Sequence, residues 1–118
     1  MSKKLKFKCW DKRDKVMKEV VAINFYFKQV VLNDIVRLFE DIVLLEYTGI
    51  LDKHGKEIYE NDYIKNIKTG KIYKVVLNGS FAAFEICDME NQYKSMFFTN
   101  RTFGDYEIVG NAYEDKLF

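Results

Sequence analysis

Tyr47–Ile64 has the sequence YTGILDKHGKEIYENDYI, in which apolar runs stand on both sides of polar turn residues. Asp52 can accept hydrogen bonds from the backbone just after it, and Gly55 can adopt the positive φ that closes a short loop. Residues 60–62 (Glu-Asn-Asp) form a second polar corner whose residues tolerate left-handed backbone. The pattern predicts a strand, a turn, a short strand, a second turn and a new strand.

Towards the N terminus, the segment Lys4–Trp10 alternates between cationic and apolar side chains. Such alternation predicts a strand with one face in the core and the other in solvent. Residues 11–14 (DKRD) form a polar reversal, and Lys15–Val21 is predicted to return as the second strand of a hairpin. The core face would carry Leu5, Phe7 and Cys9, and the solvent face Lys4, Lys6 and Lys8.

The segment between this hairpin and the central motif combines two patterns. Asn24–Leu32 is rich in β-branched and aromatic residues, which favour extended backbone. Asn33 is a candidate helix N-cap, and the apolar residues after it recur at helical spacing, which predicts one short helix of about ten residues. That apolar stripe consists of Ile35, Leu38, Phe39 and Ile42. From Ile42 an apolar run leads as a buried strand into the central motif.

The second half of the chain shows short strand patterns separated by polar turns. Asn78-Gly79 is the sharpest of these turns, because both residues tolerate the positive φ of a type I′ hairpin. Five short strands in about fifty residues are typical of a small barrel or sandwich. The predicted strands are Tyr63–Ile67, Ile72–Leu77, Ser80–Ile86, Tyr93–Thr99 and Tyr106–Val109.

Three motifs together resemble those of the YopX-like proteins of bacteriophages and prophages. Lys6–Asp11 (KFKCWD) is similar to the family's opening KFRxWD, and Tyr47–Ile64 is similar to YTGLKDKNGKEIYEGDIV. Val109–Glu114 (VGNAYE) resembles the closing GNIYE. Asn61 stands where the family usually has Gly, and Tyr63 replaces a small aliphatic residue. The structural positions of the motifs are Trp10, Tyr47, Gly49, Asp52, Gly55, Tyr59, Asp62 and Gly110.

The resemblance implies an SH3-like β-barrel in the C-terminal half. Together with the turn spacing, it predicts a mainly β fold with two parts that form one compact unit. Residues 1–46 would be an N-terminal β-hairpin lobe with one short helix, and residues 47–118 the barrel. With 48% hydrophobic and 16% aromatic residues in 118, the chain has ample material for a core.

Composition also limits the function classes. No apolar stretch approaches the roughly 20 residues of a membrane helix, and residues 1–8 are followed by no signal-peptide core. The two cysteines, Cys9 and Cys87, are far apart, and His54 is the one histidine. These are too few soft ligands for a zinc site, so no metal and no cofactor are expected. Reduced cysteines are consistent with a cytoplasmic location.

The central motif concentrates carboxylates around a histidine. Such a set can perform general acid–base chemistry or hold a hard metal ion, which would make the protein a small hydrolase. Turn formation explains Asp52 and Asp62 equally well, and His54 stands at a loop tip where the family more often has Asn. Since the chain has no nucleophile elbow, phosphate loop or paired-cysteine motif, we expect no enzyme. The set consists of Asp52, His54, Glu57, Glu60 and Asp62.

The formal net charge is +1, but the charges are unevenly distributed. Residues 1–18 carry eight cations and two acids, a local charge of +6, and the remaining hundred residues sum to −5. The basic strand and turn are a candidate surface for phosphates or an acidic protein. The alternative is that lysines on an exposed edge strand prevent aggregation. The candidate binding residues are Lys4, Lys6, Lys8, Lys12, Arg13 and Lys15.

Aromatic residues of the second half form another candidate surface. They resemble a platform for stacking bases or a peptide groove, and they equally fit a core. Phe97 and Phe98 are adjacent in a predicted strand, so they must face opposite sides, and one of them needs cover from another element or subunit. The set is Phe81, Phe84, Tyr93, Phe97, Phe98, Phe103 and Tyr106.

Taken together, these patterns predict a small non-enzymatic binding module with a protein partner or with self-association into an oligomer. The resemblance implies an accessory protein of a phage or prophage in the bacterial host cytoplasm. Nucleic-acid binding through the basic strand and hydrolysis at the acidic loop are the alternatives. We expect no membrane partner and no small-molecule substrate.

Overall fold

The computed structural model describes residues 6–79, 83–91, 94–99 and 104–114 of the 118-residue chain. They form a mainly β fold, as the sequence predicts, with a single short 3-10 turn at Phe39–Asp41 among the described residues. The strands are β1 Phe7–Asp11, β2 Val16–Asn24, β3 Gln29–Leu32, β4 Val36–Leu38, β5 Ile42–Leu51, β6 Glu57–Tyr59, β7 Asp62–Asn66, β8 Ile72–Asn78, β9 Ala83–Asp88, β10 Ser95–Phe97 and β11 Tyr106–Asn111.

The chain divides into two compact units, Met1–Glu46 and Tyr47–Phe118. Strand β5 begins in the first unit and ends in the second. In the part of the chain that the structure describes, no helix is long and apolar enough to cross a membrane.

The first unit is an antiparallel sheet with the strand order β4-β3-β2-β1-β5. The predicted β1–β2 hairpin is confirmed, and Asp11 begins its turn by accepting the N–H groups of Arg13 at 2.9 Å and Asp14 at 3.2 Å. Alternation along β1 buries Cys9, as predicted. The core of this unit consists of Cys9, Val30, Leu32 and Ile42, with Val20, Ile23, Phe39 and Leu44 packed against it.

The prediction of a helix after Asn33 is wrong. The N–H of Leu32 donates to the carbonyl of Ile35 at 2.9 Å, so this segment is a tight turn that returns the chain as strand β4 beside β3. The helical spacing does not correspond to one buried face, because Ile35 and Leu38 are 41% and 43% exposed. Pairing with β3 in a tight hairpin outweighs helix propensity here.

The prediction that Asn24–Leu32 is extended throughout is wrong for its middle residues. Strand β2 ends at Asn24, residues 25–28 form a turn, and β3 begins at Gln29. Lys28 adopts φ +54°, and its carbonyl accepts the N–H of Phe39 at 2.9 Å. A four-residue hairpin loop therefore interrupts what the composition alone favours as one strand.

The second unit contains an antiparallel sheet with the order β10-β9-β8-β7-β11, and here the end of β5 pairs with β6. The two-residue turn predicted at Asn78-Gly79 is wrong. Asn78 still belongs to β8, where it pairs with Ala83 and donates to the carboxylate of Glu85. Asn78 is therefore a ladder residue and not the first residue of a two-residue turn.

Neither sheet closes into a barrel in the described residues. Among the residues that the structure describes, β10 pairs only with β9 and β11 only with β7, so the five-strand sheet is open at both ends. A closed barrel would require a further ladder between those end strands. The SH3-like barrel is therefore not confirmed. The core of this unit consists of Ile50, Ile58, Ile64, Tyr73, Val75, Phe84, Ile86, Phe98 and Tyr106.

Candidate functional site

Asp52, the first carboxylate of the central motif, is buried in the turn between β5 and β6. Its Oδ1 accepts the N–H groups of His54 at 2.8 Å and Lys56 at 2.9 Å, and its Oδ2 accepts that of Ile108 at 3.2 Å. Burial would raise the pKa of Asp52, but these three backbone donors outweigh burial and hold the pKa below its usual range. Gly55, at φ +80°, closes the turn as predicted. The Asp52 carboxylate thus stabilises local backbone.

Asp62 and Thr48 have a similar role around β6. Asp62 Oδ2 accepts the N–H of Tyr59 at 2.8 Å, and Thr48 Oγ1 donates to the carbonyl of Ile58 at 2.8 Å. Both side chains are buried. The rings of Tyr47 and Tyr59 lie 5.5 Å apart. Gly49 adopts φ +86° between Tyr47 and Leu51, the two residues of β5 that pair with β6. The spacing of these motif residues is explained by the backbone groups that they bind.

The other members of the acidic set, His54, Glu57 and Glu60, are less buried than Asp52 and Asp62. His54 Nε2 is 3.2 Å from Glu107 Oε1, and this contact, with Lys53 nearby, lowers the pKa of Glu107. Glu57 accepts the hydroxyl of Tyr59 at 3.2 Å. Across the described ranges, no group of three or more His, Cys, Asp or Glu side chains is arranged to hold a metal ion. The set therefore divides into two buried turn acceptors, Asp52 and Asp62, two half-buried glutamates, Glu57 and Glu60, and the exposed His54.

The predicted basic surface is less exposed than the sequence suggests. Lys4 lies outside the described residues, and Lys6 and Lys8 are half-buried. Strand β1 lies between β2 and β5, so it is an interior strand, and the edge-protection interpretation is wrong. Cys9 and Asp11 alternate along β1 and lie on the buried face of this interior strand.

The cations of the β1–β2 turn lie close to acidic and carbonyl oxygens. Lys12 Nζ donates to the carbonyl of Glu40 at 3.1 Å, and Arg13 Nε is 3.4 Å from an oxygen of Asp41. Lys15 is exposed and adopts φ +55° in the turn. This mixture of charges is not the uninterrupted cationic surface that phosphate contacts favour.

A charge cluster joins the turns of the first unit. Asp11 is fully buried, with Oδ2 3.0 Å from both Lys18 Nζ and Arg37 Nε. Lys18 also contacts Asp14 at 2.6 Å and Asp34 at 2.9 Å. Burial would raise the pKa of Asp11, but hydrogen bonds from Lys18, Arg37 and the turn amides hold it well below its usual range. The cluster therefore holds the β1–β2 and β3–β4 turns together.

Both cysteines are free thiols, Cys9 buried and Cys87 half-buried. Burial, with Asp11 as the second cause, raises the pKa of Cys9 to about 11. Burial also raises the pKa of Cys87, with Glu85 as the second cause. Both thiols therefore stay protonated near neutral pH and are poor nucleophiles.

The predicted aromatic surface of the second half is mostly core. Phe84, Phe98 and Tyr106 are buried, and the rings of Phe98 and Tyr106 meet edge-to-face at 5.7 Å. Phe97 is 54% exposed and Phe98 is 6% exposed, so the prediction that they face opposite sides is confirmed. Phe81, Tyr93 and Phe103 lie outside the described residues.

Among the described residues, the most exposed aromatic side chains lie on the turn between β2 and β3. We define Phe25, Tyr26 and Phe27 as the aromatic hairpin tip; they are 73%, 86% and 63% exposed. The Tyr26 and Phe27 rings meet edge-to-face at 4.8 Å, and Phe25 packs edge-on against Phe39 at 6.0 Å. Asn24 Oδ1 accepts the N–H of Phe27 at 3.0 Å. The turn is hydrogen-bonded although its side chains face solvent.

A cavity of about 300 Å³ adjoins the aromatic hairpin tip. Phe27 belongs to both features. The cavity is lined by Phe27, Lys28, Leu38, Phe39 and Glu40. Its walls are apolar, and Lys28 and Glu40 add one charge of each sign. A protruding ring and an apolar recess therefore lie side by side in the first unit.

The family model of the YopX protein matches residues 6–117 of this chain. The match includes all three motifs and every described strand. The chain belongs to the YopX protein family. The resemblance predicted from the three motifs is thereby confirmed. In this YopX-family chain the motif residues form turns and core contacts, whereas the aromatic hairpin tip lies between the first two motifs and belongs to neither.

A solved structure supports the fold of this YopX-family chain. The crystal structure of protein EF1440 from Enterococcus faecalis is similar to it, with a TM-score of 0.61 and 17% identity over 96% of each chain. At this identity the likeness concerns the fold alone. No curated protein matches the chain.

Sequence reasoning missed the aromatic hairpin tip of this YopX-family protein. The composition of Asn24–Leu32 is typical of a strand, and that average concealed the turn. The available signal was the order of residues: three consecutive aromatic side chains cannot all lie on one face of a strand. Asn24 immediately before them is a residue that starts turns by accepting a backbone N–H.

Proposed function

We propose that this YopX-family chain is a non-enzymatic binding module and that the aromatic hairpin tip is its contact surface. By the family resemblance, it would act as an accessory protein of a phage or prophage in the bacterial cytoplasm. The observation that carries the proposal is the exposure of three consecutive aromatic side chains on a hydrogen-bonded turn.

Exposed rings of this kind are unusual in a soluble fold unless something covers them. Aromatic side chains, Tyr in particular, are enriched among the residues that dominate binding energy. A turn whose backbone is already fixed loses less conformational entropy on binding than a flexible loop. Here the Asn24 side chain and the Lys28 carbonyl both hold the turn. The tip is suited to anchor a partner.

The two alternatives have less support. A hydrolase centred on the motif would need carboxylates that are available to substrate, and Asp52 and Asp62 already accept backbone N–H groups. Nucleic-acid binding through the N-terminal strand would need accessible lysines, but Lys8 on the interior strand β1 and Lys6 just before it are half-buried. A binding module needs neither condition.

Photocrosslinking in bacterial cytoplasm tests the proposal. A photoreactive amino acid replaces Tyr26 in the full chain, and in a matched control it replaces Lys68, an exposed turn residue of the second unit. We expect adducts of discrete mass from position 26 and none from position 68. An adduct with twice the mass of the chain identifies a second copy, and any other discrete mass identifies a different partner. Equal or absent crosslinking at both positions contradicts the proposal.

A further inference from the structure

We propose that the aromatic hairpin tip binds the same surface of a second copy of this chain, giving a twofold dimer. This inference rests on the proposed function and names its partner. In a twofold contact one patch meets itself, so the patch must carry both a protrusion and a place to receive it. The tip and its adjoining cavity meet that requirement, because Phe27 is part of the tip and also lines the cavity.

The size of the cavity fits one ring. Tyr26 is the most exposed side chain of the tip, and it leans edge-on against Phe27 at the cavity wall. A volume of about 300 Å³ lies at the small end of cavities that bind ligands. Reciprocal insertion would place each Tyr26 ring against Leu38 and Phe39 of the other copy. Its hydroxyl would stay near the charged rim, as amphipathic aromatic residues favour.

The rim of the cavity carries one positive and one negative side chain, which can pair between two copies of the chain. Lys28 and Glu40 are both exposed cavity residues of opposite sign. A twofold axis through the patch can bring Lys28 of each copy to Glu40 of the other. Opposite charges that meet across an interface favour this register and disfavour wrong ones.

The exposed area suits a weak dimer. Aromatic side chains each offer roughly 150–250 Å² of surface, so the exposed part of the three rings supplies about 400 Å² per copy. Val36 and Leu38, both exposed on the neighbouring edge strand, extend it. A standard interface takes about 800 Å² per partner, so we expect a concentration-dependent monomer–dimer equilibrium.

Pairing of the two β4 edges is a less favourable way to form this dimer. In antiparallel pairing centred on Arg37, Asp34 of one copy would stand opposite Glu40 of the other. Like charges placed directly opposite each other destabilise a strand pair. The ring-in-cavity contact avoids this repulsion.

Sedimentation velocity of the purified full chain over a wide concentration range tests the dimer. We expect reversible dimerisation, weakened about tenfold or more by Tyr26→Ser. Phe97→Ser is the matched control, since Phe97 is also exposed and aromatic but lies in β10. Circular dichroism checks that each variant keeps its β structure. A wild-type chain that stays monomeric, or a dimer that Tyr26→Ser leaves intact, overturns the inference. A dimer that Phe97→Ser abolishes and Tyr26→Ser does not also overturns the inference.

A charge exchange tests the register without removing any ring. Lys28→Glu and Glu40→Lys should each weaken the homodimer about tenfold, because each places like charges opposite each other twice. Mixing the two variants should restore association, since both contacts of the mixed dimer again join opposite charges. Failure of the mixture to associate contradicts this register. If all chains are monomeric but position 26 still crosslinks to a different protein, the proposed function stands and the second-copy inference fails.

Discussion

The carboxylate of Asp11 and the guanidinium of Arg37 are 3.0 Å apart, although strands β2 and β3 separate their strands in the sheet. Neighbouring strands are spaced by about 4.8 Å, so a flat sheet would hold β1 and β4 roughly 14 Å apart. The contact therefore requires this sheet to curve towards the face that carries Asp11. One ion pair thus joins the interior strand to the edge strand of the first unit.

Replacing Asp11 by Asn should destabilise the protein by about 3 kcal/mol, because the buried amide has only one acceptor oxygen for the hydrogen bonds that Lys18, Arg37 and the turn amides donate to Asp11. Urea unfolding followed by circular dichroism measures the loss. Asp34→Asn is the control, since Asp34 contacts the same Lys18 but is exposed and should matter far less. Equal effects of the two substitutions would show that burial of Asp11 is unimportant.

The Asp11 carboxylate should also make the stability of the protein depend on pH. The pKa of Asp11 and that of Asp52 are lower in the folded chain than the roughly 3.9 of an unfolded Asp. Between the two values the unfolded chain binds more protons, so stability is present above about pH 4 and is lost as the pH falls through the folded pKa. Melting temperatures should decrease steeply on acidification below about pH 5. The decrease should be shallower in Asp11→Asn, and parallel curves for both proteins would argue against this assignment.

Asp52→Asn should destabilise the chain by about 2 kcal/mol, because an amide cannot accept all three backbone N–H groups without placing a donor against one of them. Thermal unfolding gives the value. His54→Asn serves as the control. It keeps the backbone donor to Asp52 and loses only an exposed contact with Glu107, so the change should stay within about 0.5 kcal/mol. A well-folded, fully stable Asp52→Asn protein would mean that the turn does not depend on this carboxylate.

Features with local causes were predictable from the sequence. Asp52 and Gly55 were predicted to close a turn, Asn61 to accept left-handed backbone and Cys9 to face the core, and the structure agrees with each. These features depend on residues close in sequence, where turn chemistry and side-chain alternation decide the outcome.

Features with distant causes were not predictable in the same way. Strand β4 forms where helical spacing was present, and the Arg37 side chain in that strand contacts Asp11 on β1. The contact with Asp11, 26 residues earlier, is not visible in the local pattern. The site shows the same division: the basic strand was recognised, but its interior position depends on pairing with β5. The exposed aromatic turn was hidden by a composition typical of strands.

Lys15→Gly should stabilise the protein by about 0.5 kcal/mol. Lys15 holds φ +55° in the β1–β2 turn, a conformation that strains side chains other than Gly. Glycine removes that strain, although the greater freedom of the unfolded chain offsets part of the gain. Lys15→Val should destabilise the turn, because a β-branched side chain tolerates positive φ poorly. Urea midpoints of the three proteins should rank Gly, Lys, Val, and any other order would contradict the strain assignment.

Asn61 combines left-handed backbone at φ +67° with a hydrogen bond from its Nδ2 to the hydroxyl of Tyr113 at 2.9 Å. Asn61→Ala should therefore cost about 2 kcal/mol, since it loses the bond and adds strain. Asn61→Gly should change stability by less than about 1 kcal/mol, because relief of strain offsets the lost bond. In a Tyr113→Phe background the bond is already absent, so Asn61→Gly should become stabilising. If its effect is the same in both backgrounds, the side-chain bond does not explain why Asn is accepted where the family usually has Gly.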